Sequence, residues 1–195
     1  MDFETIRKQQ KETWDKFSPG WKKWDEYTMN FLAPMGAAII QALHLKSSDH
    51  VLDVATGTGE PGLSIARIVS AGKVTGTDLS DGMLAVTKER AAAQGIENYE
   101  TAVSDVTELP FADNTFDAIS CRFGFMFFPD MQRAAKELAR ILKPGGRIAI
   151  AVWGEPKDNA WVTATMSTIH EVLNIPKPPP DAPGIFRCAA PGFTE

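Results

Sequence analysis

The sequence predicts a doubly wound α/β fold: a parallel sheet with helices on both faces. Three observations carry this prediction. Short apolar runs alternate with helical windows between residues 50 and 153, a glycine-rich turn (VLDVATGTGEPG, residues 51–62) ends the first run, and acidic residues, Asp78 and Asp105, follow the next two. Strand–helix–strand repetition implies right-handed crossovers between parallel strands. In such sheets ligands bind beyond the carboxyl ends of the strands, where strand order reverses.

From Thr5 to Phe17 the pattern suits a polar-faced helix, which Ser18-Pro19-Gly20 is expected to break. A second helical piece carries Trp21, Trp24 and Tyr27. Phe31 to Leu45 repeats apolar residues at i, i+3, i+4 and i+7, as a helix laid on a sheet does. Strands are expected at His50 to Ala55, Lys73 to Asp78, Tyr99 to Val103, Phe116 to Cys121 and Arg147 to Trp153. Helices are expected at Pro61 to Ser70, Gly82 to Gln94, Met131 to Leu142 and Asn159 to Leu173, followed by a proline-dense, extended IPKPPPDAPG.

The 195 residues, 44% hydrophobic and 23% charged, suit one globular unit. A net charge of -5 argues against nucleic acid as a partner, because phosphate binding needs clustered Lys and Arg. Cys121 and Cys188 form no C-x-x-C pair, and they make no ligand-spaced cluster with the histidines. Neither a disulfide framework nor a metal site is expected. The charged N-terminus has no signal-peptide core, and no apolar run approaches the roughly 20 residues that span a bilayer. A cytoplasmic protein without stable membrane anchoring is expected.

Gly57, Gly59 and Gly62 spell a literal G-x-G-x-x-G, but any nucleoside-bearing ligand lying close to a strand-to-helix turn needs the same bare backbone. Asp53, inside an apolar run, either accepts loop hydrogen bonds or faces a cationic ligand group. A pyrophosphate at this turn would sit beside a like charge, whereas a sulfonium would be attracted. Pro61 removes one amide that a phosphate would use. Asp78, about 20 residues on, suits a ribose diol, or else it starts the next helix with Ser80 or Asp81. Met83 suits an adenine face or the core. Asp105 and Val106 suit an adenine edge, with an Asx turn as the alternative for Asp105. Phe111 and Phe116 read as core anchors, and Asp113 and Asp117 as solvated or capping residues.

In order, VLDVATGTG, TDLSDGML, DVTELPFADNTFDAI and LARILKPGGRIAI resemble the class I S-adenosylmethionine-dependent methyltransferases, especially the small-molecule group that includes the quinone-biosynthesis C-methyltransferases. The resemblance runs from about Trp21 to Trp153. It implies a Rossmann-like fold with S-adenosylmethionine as cofactor. Asp53, Ala55, Thr56, Gly57 and Gly59 would line the methionine part, with Asp78 on the ribose and Leu79 and Met83 on the adenine. Asp105 and Val106 would read the adenine edge, and Arg122 and Phe123 would lie beside the methionine moiety, mainly through backbone.

The implied reaction is an in-line displacement with a neutral leaving group, so positioning dominates. No catalytic residue is named by the sequence: His170 is a lone histidine on a helix, and His44 and His50 flank the wrong end of the sheet. CRFGFMFFPD supplies an apolar cluster for a small, apolar or aromatic methyl acceptor. Residues 1–46 read as a helical lid carrying Trp14, Phe17, Trp21, Trp24 and Tyr27, residues 47–154 as the cofactor-binding core, and residues 155–195 as an acceptor-side cap. The last two strands of the family's seven are not recognisable. The final PGFTE reads like the start of another helix, so a truncated chain, or a homo-oligomer formed through the exposed edge of the fifth strand, is an expectation. Two other functions stay open, a non-catalytic cofactor-binding protein and an NAD-dependent oxidoreductase.

Overall fold

A computed structural model describes residues 2–174, 179 and 182–192. Five parallel strands, β1 (His50–Val54), β2 (Lys73–Asp78), β3 (Tyr99–Val103), β4 (Phe116–Arg122) and β5 (Leu142–Ala151), lie in the order β3-β2-β1-β4-β5. Strand order reverses between β1 and β4, which is where a crevice opens in such a sheet. The helices are α1 (Phe3–Lys23), α2 (Asp25–Leu43), α3 (Gly62–Ile68), α4 (Asp81–Ala93), α5 (Met131–Ile141) and α6 (Ala160–Leu173).

Period-two alternation along β1 divides the core between the two faces of the sheet. Leu52 and Val54 pack with Phe116, Ile119 and the α5 residues Ala134, Leu138 and Ile141. Val51 packs on the other face with Ile39 and Leu43 of α2 and with Ile65 and Ala66 of α3. Phe116, fully buried, meets Phe111 edge-on at 5.0 Å, in keeping with core anchors. Asp117 accepts the His50 amide at 2.9 Å and pairs with Lys143, tying the amino ends of β1 and β4.

The N-terminal helices depart from expectation. No break occurs at Ser18-Pro19-Gly20; α1 continues through Pro19 and the chain turns at Trp24 instead. Proline cannot donate to the carbonyl four residues earlier, Asp15, but the Ser18 hydroxyl donates to that same oxygen at 2.9 Å. The polar group orphaned by proline is thus satisfied by its neighbour. Trp21 therefore lies on α1, and one helix, α2, carries Tyr27 and the whole apolar stretch through Leu43.

β5 starts five residues earlier than expected and ends two earlier. Leu142 pairs with Phe116, and a register shift between Phe116 and Ala118 takes up the Lys143-Pro144-Gly145-Gly146 segment. Gly145 has φ +80°, and a Cβ on Gly146 would lie 2.7 Å from Leu142 Cδ1, so both positions favour glycine. Most of the proline-dense stretch, and the last three residues of PGFTE, lie outside the described residues.

Candidate active site

The carboxyl ends of all five strands open onto one cavity of about 310 Å³. Ala55 and Thr56 follow β1, Thr77 and Asp78 end β2, and Ser104, Asp105 and Val106 follow β3. Arg122 and Phe123 come from the end of β4, and Trp153 follows β5. Gly57, Leu79 and Met83 also line the sheet side of the wall, and α1 and α2 lie across it with Gln10, Trp14, Trp21, Met29 and Leu32.

Asp53 and Gly59 are not on this wall. Asp53 is fully buried beneath the loop, where Thr56 Oγ1 (2.5 Å), Ser120 Oγ (2.6 Å) and the Gly62 amide (3.2 Å) donate to it. Burial pushes its pKa up to about 6, against the lowering effect of those donors and of the Arg122 charge. Asp53 lies inside β1, one residue before its end, and in this arrangement its oxygens accept from the loop and from β4. Tyr99 completes the cluster, its hydroxyl 2.7 Å from Thr56 Oγ1. Burial, and then the nearby Asp53, raise the Tyr99 pKa well above its ordinary value.

The three glycines have separate duties. Gly57 has φ +57° and a Cβ there would meet no atom within 4 Å, so the loop is bare on the cavity side. Gly59, at φ +108°, turns the chain away, and a Cβ would strike Leu63 Cδ1 at 2.7 Å. A Cβ on Gly62 would come within 2.6 Å of Asp53 Oδ2. All three amides are engaged internally: Gly57 donates to Asp78 Oδ2 (3.0 Å), Gly59 to the Thr56 carbonyl (2.9 Å) and Gly62 to Asp53. A pyrophosphate would find none of these donors waiting.

Asp78 ends β2 at the cavity, with Oδ1 accepting the Ser80 amide at 2.9 Å. Its helix-starting alternative belongs to Ser80, whose hydroxyl accepts the Met83 amide and caps α4. Removal from water raises the Asp78 pKa despite its backbone donors. Asp105 does form the Asx turn, Oδ1 accepting the Thr107 amide at 2.8 Å. Its other oxygen lies 2.6 Å from Arg7 Nε but without hydrogen-bond alignment, so the charge is balanced while the acceptor stays unused. Thr77 Oγ1 and Ser104 Oγ are likewise buried without a hydrogen-bond partner among the described residues. Polar groups left this way are costly unless something meets them.

The β4–β5 end is aromatic. Phe123 (φ +59°) stacks on Trp153 at 4.5 Å with planes 10° apart, and Trp153 meets Trp161 of α6 at 5.5 Å. Trp14 meets Phe127 edge-on at 5.3 Å. Gly124 allows this crowding, since a Cβ there would lie 2.5 Å from that of Ala55.

Residues 51–146 match the methyltransferase-domain family. The segment is a methyltransferase domain. Among its relatives, the ubiquinone/menaquinone biosynthesis C-methyltransferase UbiE of Bdellovibrio bacteriovorus is 40% identical over 111 residues, 56% of this chain and 46% of that protein. The demethylmenaquinone methyltransferase of Thermus thermophilus is 37% identical over 116 residues, 60% of this chain and 52% of that one. The chain thus spans about half the length of these relatives. Among solved structures, a SAM-dependent methyltransferase from Aquifex aeolicus superposes with a TM-score of 0.57 at 27% identity, covering 72% of this chain and 79% of that one. The [4+2]-cyclase SpnF gives 0.57 at 30% identity, covering 60% and 43%. The methyltransferase domain carries the expected wall residues Ala55, Thr56, Gly57, Asp78, Leu79, Met83, Asp105, Val106, Arg122 and Phe123 at one cavity. Thr58 and Glu60 of the loop, Gln10, Met29 and Leu32 of the covering helices, and Ile185 also line it and were not singled out in the sequence. The apolar stripe of α2 was the available signal for Leu32; nothing local marks Gln10 or Glu60. His44, His50 and His170 are not on the wall.

Proposed function

We propose that this cavity binds S-adenosylmethionine and that the domain transfers its methyl group to a small, apolar or aromatic metabolite. The observation that carries the reading is the division of the cavity. Thr77 Oγ1 and Ser104 Oγ, without hydrogen-bond partners among the described residues, and Asp105, whose Oδ2 meets only the Arg7 charge, gather with Asp78 at the β2–β3 end, while Phe123, Trp153 and Trp161 form an apolar end beyond β4 and β5. A nucleoside suits the first and a flat acceptor the second. The engaged glycine amides argue against a dinucleotide pyrophosphate.

When bound, the cofactor supplies an electrophilic methyl group on a cationic sulfur that leaves as a neutral thioether. Asp78 takes the ribose hydroxyls, Leu79 and Met83 flank the adenine, and Asp105 with Val106 meets its edge. Gly57 leaves room for the chain linking the two ends. Trp14 and Trp21 on α1 keep water from the reacting centre. Holding the acceptor atom in line with the methyl group is the main catalytic contribution, worth about 7–11 kcal/mol at best.

Incubation of the protein with a metabolite extract and methyl-labelled cofactor tests the reading; label in an organic-extractable small molecule is expected. Binding of cofactor without any labelled product would favour a different use of the fold, a reading that similarity to a protein titled a [4+2]-cyclase keeps in view.

A further inference from the structure

The side chain of Arg122 has no duty in the reading above. It ends β4 on the cavity wall, and its Nη2 donates to Met29 Sδ at 3.2 Å across the covering helix. A thioether is a weak acceptor. Two other arginines show the contrast, each engaged by oxygen: Arg90 by Asp25 and the Thr58 carbonyl, Arg140 by Glu137, Asp113 and the carbonyls of Leu109 and Phe111.

Carboxylates near Arg122 are committed elsewhere. Glu60 pairs with Arg90 at 3.6 Å and accepts the Ser64 amide. Asp25 pairs with Arg90 at 3.1 Å and accepts the Thr58 hydroxyl. Asp53 is saturated by Thr56, Ser120 and Gly62. Among the described residues none of them forms an ion pair with Arg122; they act on it through their field, Asp53 and Glu60 foremost, while Arg90 opposes them. The guanidinium is withdrawn from water, which lowers its pKa, and Arg122 lines the cavity, yet among the described residues the one hydrogen bond its side chain donates goes to the Met29 sulfur. A planar cation held by a thioether and left without an oxygen partner among the described residues is ready for one.

We infer that Arg122 forms an anion subsite that takes a carboxylate or ionised hydroxyl oxygen of the bound molecule. The chemistry is shared by two sources, the amino-acid tail of an adenosyl cofactor and an acidic group on the methyl acceptor. Only the choice of adenosyl probes rests on the proposed function.

Calorimetry on the whole chain separates the cases. The charged probes are S-adenosylhomocysteine and 2-naphthoate. Their counterparts are 5′-methylthioadenosine, which lacks the amino-acid tail, and uncharged 2-naphthamide, the naphthyl pair being titrated with methylthioadenosine present. Arg122→Met should weaken one charged probe by about tenfold or more while its counterpart changes less than about threefold, and Arg122→Lys should restore part of the loss. Selective loss of S-adenosylhomocysteine places the oxygen on the amino-acid tail, and selective loss of naphthoate places it on the acceptor; either upholds the subsite. Equal weakening of charged and uncharged probes, or no change in any, overturns it. Arg122→Gln gives the same comparison should the Met variant fail to fold. If neither adenosyl compound binds the unaltered protein, the cofactor reading fails by itself, and the naphthyl pair, titrated alone, still decides the subsite.

Discussion

The Asp78 carboxylate accepts the Gly57 amide at 3.0 Å, so the acid that ends β2 also holds the bare loop that follows β1. One side chain thereby shapes the cavity and lines it. Asp78→Ala should weaken S-adenosylhomocysteine binding by about 1–3 kcal/mol through loss of charge-assisted bonds. Titration calorimetry on the folded variant checks this, and unchanged affinity would remove Asp78 from the site.

Glycine positions predict opposite signs of stability change. Gly62→Ala forces a Cβ to within 2.6 Å of Asp53 Oδ2 and 2.8 Å of Tyr99 Cε2, two groups already hydrogen-bonded in place. A loss of about 1–3 kcal/mol is expected from overpacking. Gly20→Ala lies inside α1, with no atom within 4 Å of the new Cβ, and should stabilise by about 0.5–1 kcal/mol. Urea denaturation of both variants measures the contrast.

The buried Asp53 gives the fold a pH dependence of known sign. Its pKa rises from 3.8 to about 6 on folding because burial disfavours the anion. A raised carboxyl pKa means that the contribution of this group to stability is fully present below the unfolded value and is lost as pH rises through about 6. The loss is on the order of 2–3 kcal/mol. Asp53→Asn cannot ionise, so the stability of the variant relative to the parent should improve by that order between pH 4 and pH 7. Denaturation midpoints at several pH values provide the test; a difference independent of pH would contradict the assignment.

Asp15 ties helix α1 to the start of α4. Its Oδ1 accepts the Ser80 hydroxyl at 2.6 Å and the Gly82 amide at 3.2 Å, satisfying the first turn of α4 from outside that helix. The ion pairs Lys11–Asp81 and Lys22–Glu89 beside it are more exposed, and such pairs contribute little. Asp15→Ala should therefore speed hydrogen exchange of α1 amides by about tenfold, equivalent to about 1.4 kcal/mol, whereas half-molar salt should change it far less. Exchange monitored by mass spectrometry distinguishes the two; a larger effect of salt would assign the fastening to the ion pairs.

The strands were legible because short apolar runs alternate with helical windows, as strands do in a parallel sheet. Lys73–Asp78 and Tyr99–Val103 have the bounds the sequence suggested. Legibility failed where a neighbour decides the outcome. Pro19 should end a helix on local grounds, but the Ser18 hydroxyl satisfies the carbonyl that Pro19 leaves. Asp53 and Asp78 look alike in sequence, each an acid in a short strand-like run before a helical window. Asp78 is the last residue of its strand and meets the cavity, whereas Asp53 precedes the end of its own and is enclosed. Met29 on the wall, touching Arg122 from 93 positions away, follows no local pattern at all.

The central claim is that the cavity accepts an adenosyl thioether and refuses a dinucleotide. Titration calorimetry of the intact protein with S-adenosylhomocysteine, and separately with NAD, tests it most directly. The account predicts saturable heat for S-adenosylhomocysteine and none for NAD. Heat from NAD with silence from S-adenosylhomocysteine would contradict it.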